Sequence, residues 1–325
     1  MKWFIALLLI IAAVPAHAVV VAPSGDKSGT TDTANITNRC KLGNIVQLEA
    51  GNYYVIAVTN CTNIVGFGNE EPYFYYEGET AKINVYGVGS SRGVIQCPAG
   101  SACRFAGFNI IPGPSQAGIV MDGVHGLVLE NMSVVDVAAQ GGSCIDARAL
   151  SGNGNQQLNI RGGVFIHCGG YCLDASEGAG LSDSLIIGAT FSNCHAPDLI
   201  YIQTGYGNIF NGNKIEDGFN VNGMHFSGGH GGDSVLSNNI FDRNNYDIVI
   251  DGQGWYGVVT GNQACGTGNS MWDDQGSFYV VASANSSCSP SYYAAPGAKV
   301  SGGFYDPNPT YVDQNSQAVF SPFIH

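Results

Sequence analysis

Three aspartates recur at nearly regular spacing in the middle of the chain, Asp122, Asp146 and Asp174. Each closes a segment with an apolar–x–apolar–polar pattern, so the same residue type returns at the same place of a repeat. If these segments stack as neighbouring strands, the three carboxyl groups lie about 5 Å apart on one face. Carboxyl groups that close cannot all ionise at low cost, so a raised pKa or a bound cation is expected.

Both outcomes suit the cleavage of sugar chains. A carboxylic acid with a raised pKa beside an ionised carboxylate can hydrolyse a glycosidic bond, with Asp146 and Asp174 as the pair and no cofactor. A Ca²⁺ ion held by Asp122, Asp146 and Asp174 would instead suit a lyase, in which Arg148 takes the proton of a uronate. A structural interpretation stays open as well, because aspartates at strand ends commonly cap the amides of turns. Arg148 would then only pair with Asp146.

The aspartate segments belong to a longer series, whose members recur with the regular period typical of solenoid repeats. A second series lies between them, and each of its segments opens with Gly or Asn, which tolerate the left-handed backbone of a sharp corner. Within the segments apolar residues alternate at period two, which predicts strands rather than helices. The first series comprises residues 93–96, 119–122, 143–146, 171–174, 200–203, 224–227 and 248–251.

Two short strands per repeat predict one coil of a β-solenoid, because a single coil cannot bury its apolar residues and stacked coils can. The sequence therefore predicts an all-β fold, a single-stranded right-handed parallel β-helix with N- and C-terminal caps. The right hand follows from the preference of parallel crossover connections. We expect the N-terminal cap and first coils in residues 19–92, the central coils in 93–268, and a C-terminal cap or trailing segment in 269–325.

The outer face that carries the aspartates continues onto the later strands. Alternation places Tyr201, Gln203, His225 and Ser227 there. The rings of Tyr and His can stack on sugars, while Gln and Ser can bind hydroxyl groups, which predicts a substrate-binding surface. Scattered polar residues on a surface need no function, so this interpretation also has a structural alternative. The pair Glu216 and Asp217 in the second series is a further acidic candidate.

The N-terminal segment 1–18 predicts a signal peptide, with Lys2, an apolar run at 4–14 and the cleavage site Ala16-His17-Ala18. We therefore expect a secreted protein, extracellular or periplasmic, and no later segment is long and apolar enough to cross a membrane. The net charge of −13, with 11% charged residues, argues against nucleic-acid binding. It also disfavours a polyanionic substrate unless Ca²⁺ bridges the two.

Ten cysteines follow the signal peptide, an even number that favours disulfides over a zinc site in an exported chain. Two bridges between coils are expected from the stacking of equivalent positions. A further three would complete the set. The expected pairs are Cys144 with Cys172, Cys168 with Cys194, Cys40 with Cys61, Cys97 with Cys103, and Cys265 with Cys288.

Residues 25–36, GDKSGTTDTANI, followed by VQLEAGNYYV at 46–55, resemble the opening of the pectate-lyase-like β-helix superfamily. That superfamily includes pectate lyases, polygalacturonases and phage tailspike depolymerases. The resemblance implies the β-helix fold, a polysaccharide or surface glycan as partner, and a homotrimer as one assembly to consider. Gly229-His230-Gly231 is similar to a polygalacturonase signature, but Asp174 is followed by Ala175 where that family has a second aspartate. Neither family's catalytic set is complete.

Two functions of different class follow. The first is a secreted enzyme that degrades a polysaccharide, a glycoside hydrolase or a uronate lyase, through Asp146 and Asp174 with Asp122 or Arg148 assisting. The second is a non-catalytic β-helix, an adhesin or a glycan-binding spike, which uses its flat outer face for binding. The aspartate series favours the enzyme, and the incomplete catalytic signature favours the binding protein.

Overall fold

The structure, a computed structural model, describes residues 18–40, 44–66, 83–136, 139, 141–178, 180–218, 220–227, 233–251, 256–265, 270–274, 279–287, 292–294, 299–305 and 317–319. The predicted signal peptide before Ala18 lies outside these residues. Cys288 and the Gly229-His230-Gly231 motif also lie outside them.

The described chain forms a right-handed parallel β-helix, as the sequence predicts. The coils contribute parallel strands to three rows, which we call the front sheet, the second row and the third row. The front sheet contains Val58–Thr59, Gly93–Cys97, Ala117–Met121, Ile145–Asp146, Leu173–Ala175, Asp198–Ile202, Asn222–Phe226, Tyr246–Ile250, Ser270–Asp274 and Tyr292–Ala294. This sheet carries the aspartate segments.

The other two rows complete the coils. The second row contains Ala18–Val21, Ile45–Leu48, Asn63–Gly66, Ala102–Ala106, Gly126–Glu130, Leu158–Arg161, Leu185–Ile187, Ile209–Asn211, Ser234–Ser237, Tyr256–Thr260, Tyr279–Ser287, Lys299–Tyr305 and Gln317–Val319. The third row contains Gly51–Val55, Ile83–Gly87, Asn109–Ile111, Ser133–Val135, Val164–Ile166, Thr190–Ser192, Lys214–Glu216, Ile240–Asp242 and Gln263–Cys265. A short pair outside the rows joins Asn155–Gln156 to Leu181–Ser182.

The central coils have three strands where the sequence predicts two. The second-row strand Gly126–Glu130 and the third-row strand Ser133–Val135 are separated by two residues only. The same is true of Leu185–Ile187 and Thr190–Ser192. With so short a separation, the pair of strands resembles one bent element in the sequence.

A left-handed residue makes the bend between the second and third rows in coil after coil. The Gly and Asn that open the predicted second series hold this position, as expected, except that two consecutive glycines share it in one coil. The positive φ values are 73° at Gly107, 49° at Asn131, 65° at Gly162, 104° at Gly163, 64° at Gly188, 65° at Gly212 and 54° at Asn238. A residue with a branched side chain would be strained there.

The interior is a continuous column of apolar side chains. On the front sheet each central strand turns two residues inward, for example Ile119 with Met121 and Met224 with Phe226, all at most 3% exposed. In the third row Phe165 and Phe191 stack on adjacent coils with their ring centroids 5.3 Å apart. Each fully buried side chain of this size contributes about 1.5 to 3 kcal/mol. The core therefore holds successive coils in register.

The helix Thr30–Arg39 packs against Gly51–Val55 and Val58–Thr59 near the N-terminal end of the coils. It buries Ile36 and the carboxylate of Asp32, which accepts hydrogen bonds from the backbone N–H of Ser24 (2.8 Å) and Tyr54 (2.9 Å). A helix at this place shields strand edges that would otherwise stay open. Among the described residues, no helix has the length and apolarity that a membrane crossing needs.

Four buried asparagines stack at one corner of the later coils: Asn213, Asn239, Asn262 and Asn285. Each of the first three donates from its side-chain amide to the side-chain oxygen of the next, at 3.0 Å. That same oxygen also accepts the backbone N–H of the preceding asparagine. This asparagine ladder satisfies backbone groups at a corner where no strand pairing reaches them.

Disulfides join neighbouring parts of the coils. Cys40 is bonded to Cys61 and Cys97 to Cys103, the pairs expected from the sequence, with Cα atoms 5.0 and 6.0 Å apart. Cys265 was expected to pair with Cys288, which lies outside the described residues.

The two pairs expected between coils, Cys144 with Cys172 and Cys168 with Cys194, are wrong. Cys144 is bonded to Cys168 and Cys172 to Cys194, with Cα atoms 5.5 and 5.6 Å apart. The expectation placed Cys144 and Cys172 in an outward column, but both are fully buried. They lie where the chain enters the front sheet, so each reaches the cysteine that follows the third-row strand of the next coil.

Candidate functional site on the front sheet

Asp146 and Asp174 are direct neighbours on adjacent front-sheet strands. The same register leads from Asp174 to Tyr201 and from Tyr201 to His225. We call these four residues the front column. Successive members are about 4.8 Å apart along the helix axis. Two of the predicted catalytic residues and two of the predicted binding residues therefore belong to one surface.

Asp122 is not a member of the front column. The expected column of three aspartates is therefore wrong, because the register at this strand differs by two residues from the expected one. Val120, not Asp122, pairs with Asp146. Asp122 follows the end of its strand, where its Oδ1 accepts the backbone N–H of Ser151 at 2.9 Å. This bond is the turn-capping role that the structural interpretation expects.

A similar two-residue shift applies to Gln203 and Ser227, which lie beyond the strand ends rather than beside the aspartates. Such a slip keeps every apolar side chain inward, so alternation alone does not reveal it. Ala147 and Ala175 occupy the second inward position on their coils, where other strands carry larger residues, and both are fully buried. Because these two inward side chains are small, the pattern of large apolar residues in the sequence did not indicate the true register.

Arg92, a residue that the sequence analysis missed, lies at the centre of the aspartate cluster. Its Nε and Nη2 donate to the two carboxyl oxygens of Asp146 at 2.8 and 2.9 Å. Its Nη1 donates to Asp122 Oδ2 at 2.6 Å, and Nη2 also donates to the backbone oxygen of Arg148 at 2.8 Å. Arg92 comes directly before the first segment of the repeat, which is the one signal in the sequence that could have indicated it.

Asp146 is held between two guanidinium groups. Besides Arg92, Arg148 donates to it from Nε at 3.0 Å and from Nη2 at 2.9 Å. Burial, at 2% exposure, would alone raise the pKa of Asp146, but the hydrogen bonds and charges of the two arginines outweigh it and lower the pKa. Its oxygens are thus ionised and occupied, so Asp146 is not placed to act as a nucleophile or base.

Arg148 remains a cation. The hydrogen bonds of Asp146 first, and then the charges of Asp174 and Glu177, raise its pKa well above the ordinary range, although burial opposes them. Its Nε lies 3.4 Å from Asp174 Oδ2. A guanidinium held in this way does not take a proton from a sugar, so the expected role of Arg148 as the base of a lyase does not fit the geometry.

Asp174 differs from Asp146 in its environment. Burial raises the pKa of Asp174 and the neighbouring charge of Asp146 adds to this, against hydrogen bonds from Ser176 and the charge of Arg148. Its Oδ1 accepts the backbone N–H of Ser176 at 3.1 Å, and its Oδ2 lies 3.3 Å from the hydroxyl of Ser143. Two adjacent carboxyl groups whose pKa values are driven apart are typical of acid–base sites.

The three predicted Ca²⁺ ligands do not fit that ion as they are arranged. Ca²⁺ takes about six to eight oxygen ligands. The guanidinium groups of Arg92 and Arg148 already occupy the oxygens of Asp146, and Arg92 occupies one oxygen of Asp122. The two arginines bring positive charge to the place that a cation would take.

His225 lies between two carboxylates from the coils before and after it. Its Nδ1 forms a hydrogen bond with Asp198 Oδ2 at 3.1 Å, and its Nε2 is 3.0 Å from Asp251 Oδ2 without the geometry of a hydrogen bond. Burial alone would lower the pKa of His225, but the bonds and charges of Asp198 and Asp251 outweigh it and raise the pKa. Neither aspartate was a predicted site residue, although Asp251 closes the first series of segments.

Three rings follow one another beside the carboxylates. The ring centroids of Tyr171 and Tyr201 are 5.7 Å apart, and those of Tyr201 and His225 are 4.7 Å apart in an edge-to-face contact. All three side chains are half-buried. The hydroxyl of Tyr201 bonds to that of Ser227. The structure thus brings together three of the four predicted binding residues and adds Tyr171.

The remaining candidates lie apart from this cluster. Gln203 is exposed, and its backbone N–H donates to the oxygen of Ala175. Glu216 and Asp217, on the third row and its turn, form ion pairs with Lys214 at 2.7 Å and Arg243 at 2.6 Å, respectively. Both carboxylates are partly buried and paired with cations on the outside of the third row.

Comparison with known proteins gives one resemblance. No protein-family model matches the sequence, and a search of curated proteins found no match. Among solved structures, the chain is similar to the A-module of the mannuronan C-5 epimerase AlgE6 from Azotobacter vinelandii. The two share 12% sequence identity at a TM-score of 0.33, over 90% of this chain and 94% of that one. The fold and the site together define a right-handed parallel β-helix protein with a charged and aromatic front sheet.

Proposed function

We propose that this protein is a secreted β-helix of the pectate-lyase-like kind that binds a polysaccharide or surface glycan along its front sheet. The observation that carries the proposal is the succession of Tyr171, Tyr201 and His225 on three consecutive coils. Half-buried aromatic rings offer a sugar an apolar surface at a low cost in side-chain entropy. A run of such rings along the axis suits a chain ligand better than a small molecule.

The charges around these rings favour a neutral glycan over an anionic one. The carboxylates of Asp122, Asp146, Asp174, Asp198 and Asp251 outnumber the cations Arg92, Arg148 and His225. Each of these cations is paired with a carboxylate, so an acidic sugar would have to displace an existing partner. The net charge of the whole chain, −13, acts in the same direction.

Export supports this function, because a glycan on a cell surface or in a matrix is met outside the cytoplasm. The segment 1–18 carries the pattern of a signal peptide. The four disulfides described above are compatible with an oxidising compartment. Residues 25–36 and 46–55 add their resemblance to the superfamily's opening segments.

The test is binding of the mature protein to a panel of neutral and acidic polysaccharides, measured by calorimetry. Tyr201→Ala should weaken binding about tenfold or more, as the loss of an aromatic anchor does. Tyr201→Phe keeps the ring and should retain most of the affinity. Tyr54→Ala removes a ring of the third row, one that stacks on Tyr86 at 5.2 Å, and serves as the matched control. Unchanged affinity in Tyr201→Ala would contradict the proposal.

A second candidate function is hydrolysis of the bound glycan with Asp174 as the proton donor. It is favoured by the raised pKa of Asp174 next to Asp146, whose pKa is lowered. Since Asp146 is occupied by two arginines, it would hold Arg148 in place and would not attack the sugar. The release of reducing ends that Asp174→Asn abolishes would support this candidate. Binding without any release of reducing ends would leave the protein a glycan-binding one.

A further inference from the structure

His225 connects three consecutive coils of the front sheet. It lies on Asn222–Phe226, while Asp198 opens the preceding strand Asp198–Ile202 and Asp251 follows the next strand. Asp198 is 4% exposed, His225 15% and Asp251 39%, so the contact passes from the interior of the sheet to its surface. Asp198 is fixed in turn by Asn222, whose side-chain amide donates to its Oδ1 at 2.8 Å.

Both ring nitrogens of His225 face a carboxylate oxygen. A neutral imidazole has one N–H for the two carboxylates, whereas an imidazolium has two N–H groups and a positive charge. The charged ring alone therefore gains both the hydrogen bond to Asp198 and the ion pair with Asp251. With His225 neutral, Asp198 or Asp251 therefore faces a nitrogen lone pair, and that contact is repulsive. Asp251 is the more exposed of the two, so it is the one that can turn to solvent.

The same ring is in contact with Tyr201. Their edge-to-face contact at 4.7 Å and the bond of the Tyr201 hydroxyl to Ser227 hold the phenol from two sides. Ser227 lies on the same coil as His225, two residues further along. A movement of this coil relative to Asp251 therefore moves both contacts of Tyr201.

We propose that His225 is a proton-dependent clamp of the front sheet, which fixes Tyr201 for glycan binding when protonated and releases it when neutral. The part that concerns the glycan rests on the proposed function, whereas the clamp itself does not. Among the described residues, the charged groups that face His225 are Asp198 from the preceding coil and Asp251 from the following one. In the part of the chain that the structure describes, Tyr201 is a further titratable group in contact with His225.

The direction of the pH dependence follows from the charges around His225. Because the two aspartates raise the pKa of His225 in the folded chain, protonated His225 stabilises the fold below the ordinary value of 6.5. That contribution is lost as the pH rises through the folded pKa. Glycan binding should follow the same course, stronger in mild acid and weaker in alkali.

The clamp can be tested without a ligand. The NMR signals of His225, identified by their absence in His225→Gln, should titrate with a midpoint above 6.5. Signals of the Tyr201 ring should change with the same midpoint. The Asp251→Asn variant should lower the midpoint of the His225 titration. A His225 titration midpoint at or below 6.5 would overturn the clamp. So would Tyr201 signals that do not change with that titration.

Glycan affinity is then measured below and above that midpoint. We expect a loss of at least about fivefold on the alkaline side, which His225→Gln abolishes. Equal affinity on both sides would overturn the link between clamp and binding. If the NMR titration follows the expectation and no polysaccharide binds at any pH, the proposed function fails and the clamp stands.

Discussion

Arg92 donates to both carboxyl oxygens of Asp146 although 54 residues separate the two in the chain. Between them lies the coil that ends with Asp122, and Arg92 donates to that carboxylate as well. Strand pairing connects each coil to its neighbours only. One guanidinium group here connects three coils at once, so it is expected to matter more for stability than an ordinary surface arginine.

Replacement of Arg92 should therefore be costly. Arg92→Met leaves the buried Asp146 with Arg148 as its one cationic partner among the described residues, and we expect a loss of about 2 to 4 kcal/mol in the free energy of unfolding. Urea denaturation at neutral pH measures it. The control is Arg104→Met, because Arg104 pairs with Glu130 on the surface at 45% exposure, and such pairs contribute about 0 to 1 kcal/mol. Equal losses in the two variants would contradict the special position of Arg92.

Asp146 and Asp174 should affect the pH dependence of stability with opposite signs. The pKa of Asp146 is lowered by folding, so it stabilises the fold above 3.8 and this is lost as the pH falls through the folded pKa. The pKa of Asp174 is raised, so its contribution becomes unfavourable as the pH rises above 3.8 and through the folded pKa.

Their amide variants separate the two effects. Asp146→Asn should be less stable near neutral pH, by about 3 kcal/mol, and should lose part of its sensitivity to acid. From acid to neutral pH, the free energy of unfolding should change more favourably in Asp174→Asn than in the unchanged chain, because the variant lacks the carboxyl group that ionises at a cost. Unfolding curves recorded across the acid range show both. Identical pH profiles for the two variants would contradict the assignment.

The asparagine ladder predicts a cost for losing a single amide. Asn239→Ala leaves the N–H of Asn213 and the oxygen of Phe210 without the partners they now have. Each buried polar group left unpaired costs about 1 to 3 kcal/mol, so we expect a marked fall in the urea midpoint. Asn153→Ala, in an exposed turn, is the control and should change little. A midpoint that stays in place for Asn239→Ala would mean that water replaces the ladder.

The disulfide pattern is directly measurable. Digestion without reduction, followed by mass spectrometry, should give peptides that link Cys144 to Cys168 and Cys172 to Cys194. Peptides that link Cys144 to Cys172 would contradict the structure and restore the pairing that the sequence suggested.

Much of the fold could be predicted from the sequence because a β-helix repeats locally visible features. The alternating segments predicted the front sheet, and the recurring Gly and Asn, such as Gly107 and Asn131, predicted the bends between the second and third rows. The register could not be obtained in the same way. A shift of two residues between Val120 and Asp122 keeps the inward face apolar, and only the packing of whole coils decides between them.

The site was harder to predict than the fold. Tyr201, His225 and Ser227 could be proposed as binding residues from the sequence because they belong to the repeating segments, and they stay a prediction. Arg92 was missed because its long side chain acts on coils further along the axis, which no local pattern encodes. Asp146 and Asp174 have the same residue type and strand position, yet the two arginines lower the pKa of Asp146, whereas burial and the charge of Asp146 raise the pKa of Asp174. That difference arises from neighbours distant in sequence.

The register of the front sheet also affects how the sequence of such a chain can change during evolution. From Val120 through Asp146, Asp174, Tyr201 and His225 to Val249, the paired residues are 26, 28, 27, 24 and 24 positions apart, while the rise per coil is set by strand spacing. Corners therefore absorb insertions and deletions without disturbing the stack. Over evolutionary time a gap can arise in almost every coil. Sequence likeness between relatives would then fade much sooner than likeness of shape.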